Sequence, residues 1–292
     1  MVENNKKFQI IINAIMVLLC LSCAVPFLLL VSSSITAEET LVKHGYSFFP
    51  RVIDLSAYKY LLFGSKAIIR GYGISIFVTV VGTLLSLTIT TLFAYPLSRK
   101  DLPGRNIFAF VIFFTMLFSG GLVPGYIMWT QIFHIKNTIW ALLFPNLLMN
   151  AFYVIMMRTY FMTNIPEEVL EAARVDGASE PYTLVKIVLP MSTPIIITLA
   201  LLVGLGYWND WLNGLYYINK DDMYSIQVLL NKMLQNVEMV KKAASAGAAS
   251  MRMPSTAVRM AVAVIGALPV MVVYPFFQRF FVKGIVVGAV KG

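Results

Sequence analysis

Residues 171–190 read EAARVDGASEPYTLVKIVLP, a polar segment broken by turn formers that lies between two apolar runs, Thr138–Phe161 and Met191–Trp208. Just upstream, Asn164 is a candidate helix cap and Pro166 is tolerated in a first turn. Glu167 and Glu168 put carboxylates where a helix dipole favours anions. That helix stops at Gly177, the residue best able to take the left-handed conformation of a C′ position. Ser179 offers a second cap, Glu180 and Pro181 follow it, and the next helix runs until Pro190 interrupts it. The expectation over 164–190 is helix, tight turn, helix.

On the first helix Glu167, Glu171 and Arg174 recur at i, i+4 and i+7 and share a face, while Val169, Ala172, Ala173 and Asp176 lie round the other side. Small alanines let another backbone approach closely. On the second, Leu184, Ile187 and Val188 form an apolar stripe. A solvated amphipathic loop resting on headgroups is the plain alternative. Such loops are usually basic, however, and this one is acidic, which favours a protein groove as its seat.

Working outward, the 292 residues are 59% hydrophobic and 13% charged, with a mean hydropathy of +0.77. Soluble domains carry about 25% charged residues, so this chain lacks the polar surface to dissolve. Apolar runs at 8–35, 71–97, 106–129, 138–161, 191–208 and 257–281 each approach or exceed the roughly 20 residues that a helix needs to cross a bilayer core. Inside lipid the backbone must bond to itself, and runs this long without alternation are helices, not barrel strands. The sequence therefore predicts an all-α integral membrane protein with six transmembrane helices, organised as a single domain over 1–292.

An even number of spans puts both termini on one side. Lys6, Lys7, Arg99, Lys100, Arg105, Arg279, Lys283 and Lys291 flank short segments, which makes that side cytoplasmic. The opposite segments also carry basic residues, but they are long, and charge in long loops counts for less. The net charge of +9 suits anionic lipid headgroups. No basic run interleaved with aromatics points to nucleic acid. The first apolar run continues past Cys23 through Val31, longer than a signal-peptide core, and is expected to be an uncleaved helix. Cys20 and Cys23 lie within it and are expected to be buried as small hydrophobes.

Catalytic patterns are missing. The chain has no phosphate-cradling G-x-x-x-x-G-K-[ST] loop, no H-E-x-x-H, no G-x-S-x-G and only two histidines, His44 and His134. No catalytic residue, metal ligand or cofactor site is expected. Two G-x-x-x-G matches, Gly121–Gly125 and Gly284–Gly288, carry little weight because the first holds Pro124 and the second lies in the tail.

Towards the other face, the end of the fifth run reads GYWNDWLNGLYYIN. Trp208 and Trp211 with Asn209, Asp210 and Asn213 mix flat apolar faces with hydrogen-bonding groups. That mixture suits a sugar ring, and equally suits an interfacial aromatic belt. In the fourth run Asn146 and Asn150 are four apart and would face together, with Tyr153 nearby. They would point to a pore or bond between helices. The stretch 216–254 reads as a long outer loop with a helical middle, SIQVLLNKMLQNVEM, followed by small residues, KKAASAGAAS.

The spacing E-A-A, three residues, G, nine residues, I-x-L-P is met without a gap by Glu171, Ala172, Ala173, Gly177, Ile187, Leu189 and Pro190. It resembles the EAA signature of ABC importer permeases. The DGA of Asp176–Ala178 and the ending FFVKGIVVGAVKG resemble the MalG-like carbohydrate branch, and within it the permeases of oligosaccharide and polysaccharide uptake. The resemblance implies that 164–190 is a cytoplasmic coupling loop docking into an ATPase cleft through Glu171, with Asp176 beside the turn. It also implies a second, related permease, two ATPase subunits that hold ATP and Mg, and an extracellular sugar-binding protein that meets the 216–254 loop. An ion-coupled secondary transporter is the main rival, but the runs contain almost no ionisable residue away from their ends. An intramembrane enzyme is the lesser one.

Overall fold

The computed structural model describes residues 6–63, 66–245 and 255–289. Residues 246–254, which include part of KKAASAGAAS, and the last three residues of FFVKGIVVGAVKG lie outside them. Among the described residues every regular element is helical, and one isolated bridge pairs Thr36 with Ile53. The chain opens with α1 (Lys6–Ser34), α2 (Glu38–His44), α3 (Ser56–Phe63) and α4 (Lys66–Ser98). Next come α5 (Arg105–Leu117), α6 (Leu122–Ile127) with a π turn over Met128–Ile132, α7 (Trp140–Leu143) and α8 (Ala151–Asn164). The polar segment forms α9 (Glu167–Val175), α10 (Glu180–Thr183), a π turn at Leu184–Val188 and α11 (Leu189–Met191). The chain ends with α12 (Thr193–Asn209), α13 (Leu212–Tyr217), α14 (Ile226–Ser245) and α15 (Ser255–Ala289).

Three helices are long and apolar enough to cross a bilayer unbroken: Phe8–Ser34, Lys66–Ser98 and Thr256–Gln278. Two further pairs pass the same test but are sharply bent, by 111° between Arg105–Leu117 and Leu122–Ile132 and by 83° between Glu180–Met191 and Thr193–Asn209. This makes a multi-pass membrane protein with three to five apolar spans of sufficient length. The expected third run, 106–129, is thus not one straight helix. Ser119, Gly120 and Gly121 break it, and Gly121 takes φ 84°, a left-handed conformation open to glycine.

The expected fourth run, 138–161, is also interrupted. Helix α7 has only 4 residues, and α8 resumes at Ala151 and runs 14 residues to Asn164. Pro145 lacks the N–H that would continue the helix, and Asn146 next to it turns left-handed at φ 62°. Carbonyls freed by such a break need donors when water is absent. Tyr207 donates its hydroxyl to the Leu143 carbonyl at 2.8 Å, and Asn213 donates Nδ2 to the Pro145 carbonyl at 2.9 Å. Arg158, on α8, likewise donates Nε to the Leu97 carbonyl at the end of α4, at 2.9 Å.

The chain divides into two compact units, Met1–Ile68 with Leu230–Pro269 and Ile69–Leu229 with Val270–Gly292. In the first, α1 is exposed along most of its length, as befits a helix that is apolar all round and faces lipid. Cys20 and Cys23 are therefore exposed free thiols, not buried ones as expected, because no other element among the described residues covers that stretch. Asp54 caps α3 by accepting the Ser56 amide and hydroxyl, both at 2.8 Å, and these bonds hold its carboxyl below the usual range.

The second unit has two buried clusters. One joins Val78 of α4, Ala141 to Leu143 of α7, Val203 and Tyr207 of α12, and Tyr217, Ile218, Tyr224 and Val228. The expected outer loop 216–254 therefore begins as packed structure and continues as α14. The other cluster joins Ala94, Tyr95 and Leu97 of α4 with Val154, Met157 and Phe161 of α8, Leu184 and Val188, and Ile195 and Leu199 of α12. At 1.5 Å per residue the two lie about 24 Å apart along α4. Between them α4 approaches α12 closely: a Cβ added to Gly82 would stand 2.4 Å from the Tyr207 ring.

Gly82→Val should force that ring out of place and cost about 1–3 kcal/mol. Tyr207→Phe should cost a similar amount, about 1–3 kcal/mol, by orphaning the Leu143 carbonyl. Thermal or denaturant unfolding of the detergent-solubilised protein measures both.

Candidate functional site

The candidate site is the helix–turn–helix of α9 to α11 together with the segment that follows α4. Its start differs from the expectation in one respect. Asn164 does not cap α9 but closes α8, donating Nδ2 back to the Tyr160 carbonyl at 3.3 Å. Pro166 occupies the N-cap position of α9 and offers no side-chain bond, so the Glu167 and Glu168 carboxylates are what complement the helix start.

The end of α9 follows from Gly177, whose φ of 76° lets the chain reverse. The Gly177 amide donates to the Arg174 carbonyl at 3.0 Å and the Ala178 amide to the Ala173 carbonyl at 2.9 Å, the paired closure of a Schellman motif. Ser179 precedes α10 in extended conformation but makes no side-chain cap bond. Helix continues through Pro190 to Met191 because the π turn over Leu184–Val188 widens the backbone ahead of the proline, whose ring would otherwise press on the Lys186 carbonyl.

One side of this hinge pair is fastened to the chain. Leu184 and Val188 are buried in the cluster with Ala94, Tyr95 and Phe161, and Ala173 is buried as well. Around them runs a polar network. Arg174 Nη2 lies 2.7 Å from Asp101 Oδ2 and 3.5 Å from Glu180 Oε1. Arg99 approaches the same two carboxylates at 3.7 and 3.9 Å, and the Tyr95 hydroxyl donates to Glu180 Oε2 at 2.5 Å. Lys100 pairs with Glu167. The Arg174 guanidinium, through its hydrogen bond, holds the Asp101 carboxyl below the usual range. A cleft of about 410 Å³ opens beside this network, between Tyr95, Pro96, Arg99, Glu180, Pro181 and Leu184.

The other side is bare. Glu171, Ala172, Asp176 and Gly177 are exposed, Val175 is 87% exposed, and Tyr182 and Val185 are 57% and 53% exposed. Among the described residues Glu171 has no ion pair. Ala172 and Ala173, grouped together by periodicity, part company: one faces outward and the other is buried. Ile187 and Leu189 are half-buried and Pro190 is exposed.

The residues proposed for a sugar path are not gathered on one surface. Asn146 sits exposed in a left-handed turn and Asn150 caps α8 by accepting the Phe152 amide at 2.9 Å, so the two do not share a helix face as expected. Pro145 is the reason, since it ends the helix before Asn146. Tyr153 is half-buried and packs against both clusters. Trp208 is buried, 6.1 Å from the Tyr72 ring, whereas Trp211 and Asn209 are exposed. Asp210 is half-buried and accepts the Asn213 amide at 3.2 Å; burial pushes its carboxyl above the usual range.

Sequence reasoning missed Tyr95, Arg99, Asp101 and Glu180 as members of the hinge network. The available signal was charge complementarity, since RKD at 99–101 lies opposite the charges of 167–180. Tyr95→Phe should cost about 1 kcal/mol of local stability. Hydrogen exchange of amides 167–183 would read that as roughly fivefold faster opening. The Asp101 carboxyl titrates lower when folded than the ordinary value of about 3.9. Its contribution is thus fully present above that pH and is lost as pH falls through the depressed value, so exchange here should be insensitive to this group between pH 5 and pH 8.

A family described as "Binding-protein-dependent transport system inner membrane component" matches residues 104–287. The polygalacturonan/rhamnogalacturonan transport system permease protein YtcP of Bacillus subtilis (strain 168) is 35% identical over 288 residues, covering 99% of each chain. Protein LplC of the same organism is 37% identical over 270 residues, covering 91% of this chain and 89% of its own. Among solved structures, a bacterial ABC transporter involved in the import of the acidic polysaccharide alginate superposes with a TM-score of 0.80 at 28% identity, over 96% of this chain and 99% of that one. These matches favour an ABC permease over an ion-coupled carrier, and a transport subunit over an enzyme. A chain whose hinge pair is fastened on one side and bare on the other, and whose sequence matches along this length, belongs to the family of inner-membrane components of binding-protein-dependent ABC transport systems.

Proposed function

We propose that this chain is one permease half of an ATP-driven importer for an oligosaccharide or polysaccharide, and that α9 to α11 form its coupling element. The observation that carries the reading is the two-sidedness of the hinge pair. Leu184, Val188 and the Arg99–Asp101–Arg174–Glu180 network bind it rigidly to α4. Glu171, Ala172, Val175 and Tyr182 are left for another protein to grip. A push on the bare side is then delivered to α4, since a helix in a groove transmits force only if its far side is anchored.

In this reading segment 164–190 faces the cytoplasm and meets an ATPase subunit that carries the ATP and Mg, with Glu171 as the charged contact and Asp176, Gly177, Ile187, Leu189 and Pro190 shaping the turn and its return. A second, related permease completes the path, two ATPase subunits drive it, and an extracellular sugar-binding protein delivers the cargo. The six-span topology with both termini cytoplasmic is retained, α8 serving as the short fourth crossing. The stretch 216–254 meets the binding protein. The carbohydrate assignment rests on the relatives named above, whose cargoes are polygalacturonan or rhamnogalacturonan and alginate.

Glu171→Lys and Gly177→Pro should leave the protein in the membrane and paired with its partner permease. Both should lower sugar uptake about tenfold or more while ATPase activity becomes independent of the binding protein. Uptake at the wild-type rate in both variants, or purification of the intact assembly without any ATPase chain, would falsify the reading.

A further inference from the structure

Two arginines of the second unit converge on the corner that ends α4. Arg158, on α8, donates Nε to the Leu97 carbonyl at 2.9 Å, and Arg105, the first residue of α5, donates Nη1 to the Arg99 carbonyl at 3.4 Å. The Arg105 guanidinium lies close enough to Arg158 for the two charges to repel. Helix α5 packs on α8, and Ile112, at i+7 from Arg105 and so on its face, is buried in the cluster that holds Val154 and Met157. The two cations thus stand together over one seam between helices.

The described residues offer this pair no counter-charge: neither Arg105 nor Arg158 takes part in an ion pair among them. Each guanidinium commits one nitrogen to a carbonyl, both residues are half-buried, and no other nitrogen of either is sealed from solvent without a partner. Their remaining N–H edges are therefore reachable. Two like charges held side by side repel, and an anion placed between them is attracted by both. Two guanidinium edges match the two free oxygens of a phosphodiester. What lies beyond them distinguishes a lipid from a soluble anion. From Arg105 onward α5 is an apolar helix, on which Ile107, Phe108 and Val111 are 68%, 55% and 53% exposed, a bare surface for fatty chains directly below a bound headgroup. Basic pockets between membrane helices are where anionic headgroups seat.

We propose that Arg105 and Arg158 bind the phosphodiester of an anionic glycerophospholipid whose acyl chains lie along α5. The bound headgroup bridges the start of α5, α8 and the end of α4. Arg99, whose carbonyl Arg105 holds, also reaches Asp101 and Glu180, so the lipid braces the corner to which the hinge pair is fastened. This site depends on the membrane setting alone and on neither the cargo nor the coupling role.

The test titrates the complete, delipidated transporter in detergent with dioleoylphosphatidylglycerol and reads bound lipid by native mass spectrometry. Dioleoylphosphatidylcholine, whose phosphodiester is offset by a choline cation, and inorganic phosphate are titrated alongside. Wild type should bind phosphatidylglycerol more tightly than either. Arg105→Gln and Arg158→Gln should each weaken that binding about fivefold, the loss expected when one basic group leaves a headgroup. Arg105→Lys, which keeps the charge without the fork, should lose less. Arg51→Gln removes an equal charge from an exposed position in the first unit and should change nothing. If Arg158→Gln does not fold, Arg105→Gln decides, since its 3.4 Å carbonyl bond is the weaker anchor. Undiminished phosphatidylglycerol binding in Arg105→Gln, or an equal loss in Arg51→Gln, overturns the proposal. Tighter binding of inorganic phosphate, lost in the same variants, makes the ligand a soluble anion and overturns the lipid assignment. Loss of a partner chain on purification of Arg105→Gln, rescued by Arg105→Lys, assigns the pair to a carboxylate of that chain and likewise overturns it.

Discussion

A backbone carbonyl released inside a membrane protein must find a donor from the protein itself, because no water is at hand to supply one. This chain releases several. Pro145 breaks the helix between α7 and α8, and Tyr207 and Asn213 take up the carbonyls of Leu143 and Pro145. Arg158 takes that of Leu97. These donors sit 61 to 68 residues away in sequence from the groups they serve. The bonds therefore do more than repair: they fix α12 and α13 against α7, and α8 against α4. Both buried clusters of the second unit are assembled around them.

The hinge pair rests on the second of those clusters, and the mechanical role proposed for it follows from how it is held. Apolar burial of Leu184 and Val188 seats it, but such contacts are non-directional and would tolerate sliding. Directional restraint comes from two arginines, two carboxylates and a phenol, each contacting more than one neighbour. A single exposed ion pair contributes little, whereas a shared network resists displacement because no one contact can be broken without straining the others. The exposed row from Glu171 to Val185 is left chemically mixed, with carboxylates, small residues and three large apolar side chains, as suits a surface that another protein could grip.

The residues by themselves determined the helical class, the membrane setting, the place of the reversal at Gly177 and the EAA spacing. Each depends on the run length of apolar residues or on contacts within about four positions, which a linear reading reaches. The breaks at Ser119–Gly121 and Pro145 were visible as Gly and Pro, but hydropathy averaged over them and drew single spans. Only the tertiary structure decided that Ala173 is buried while Ala172 is not, that Asn146 and Asn150 do not face together, that Trp208 turns inward, and that Asp101 and Glu180 share two arginines. All of these depend on which distant segment arrives alongside, and helical periodicity carries no information about a neighbour that is far along the chain.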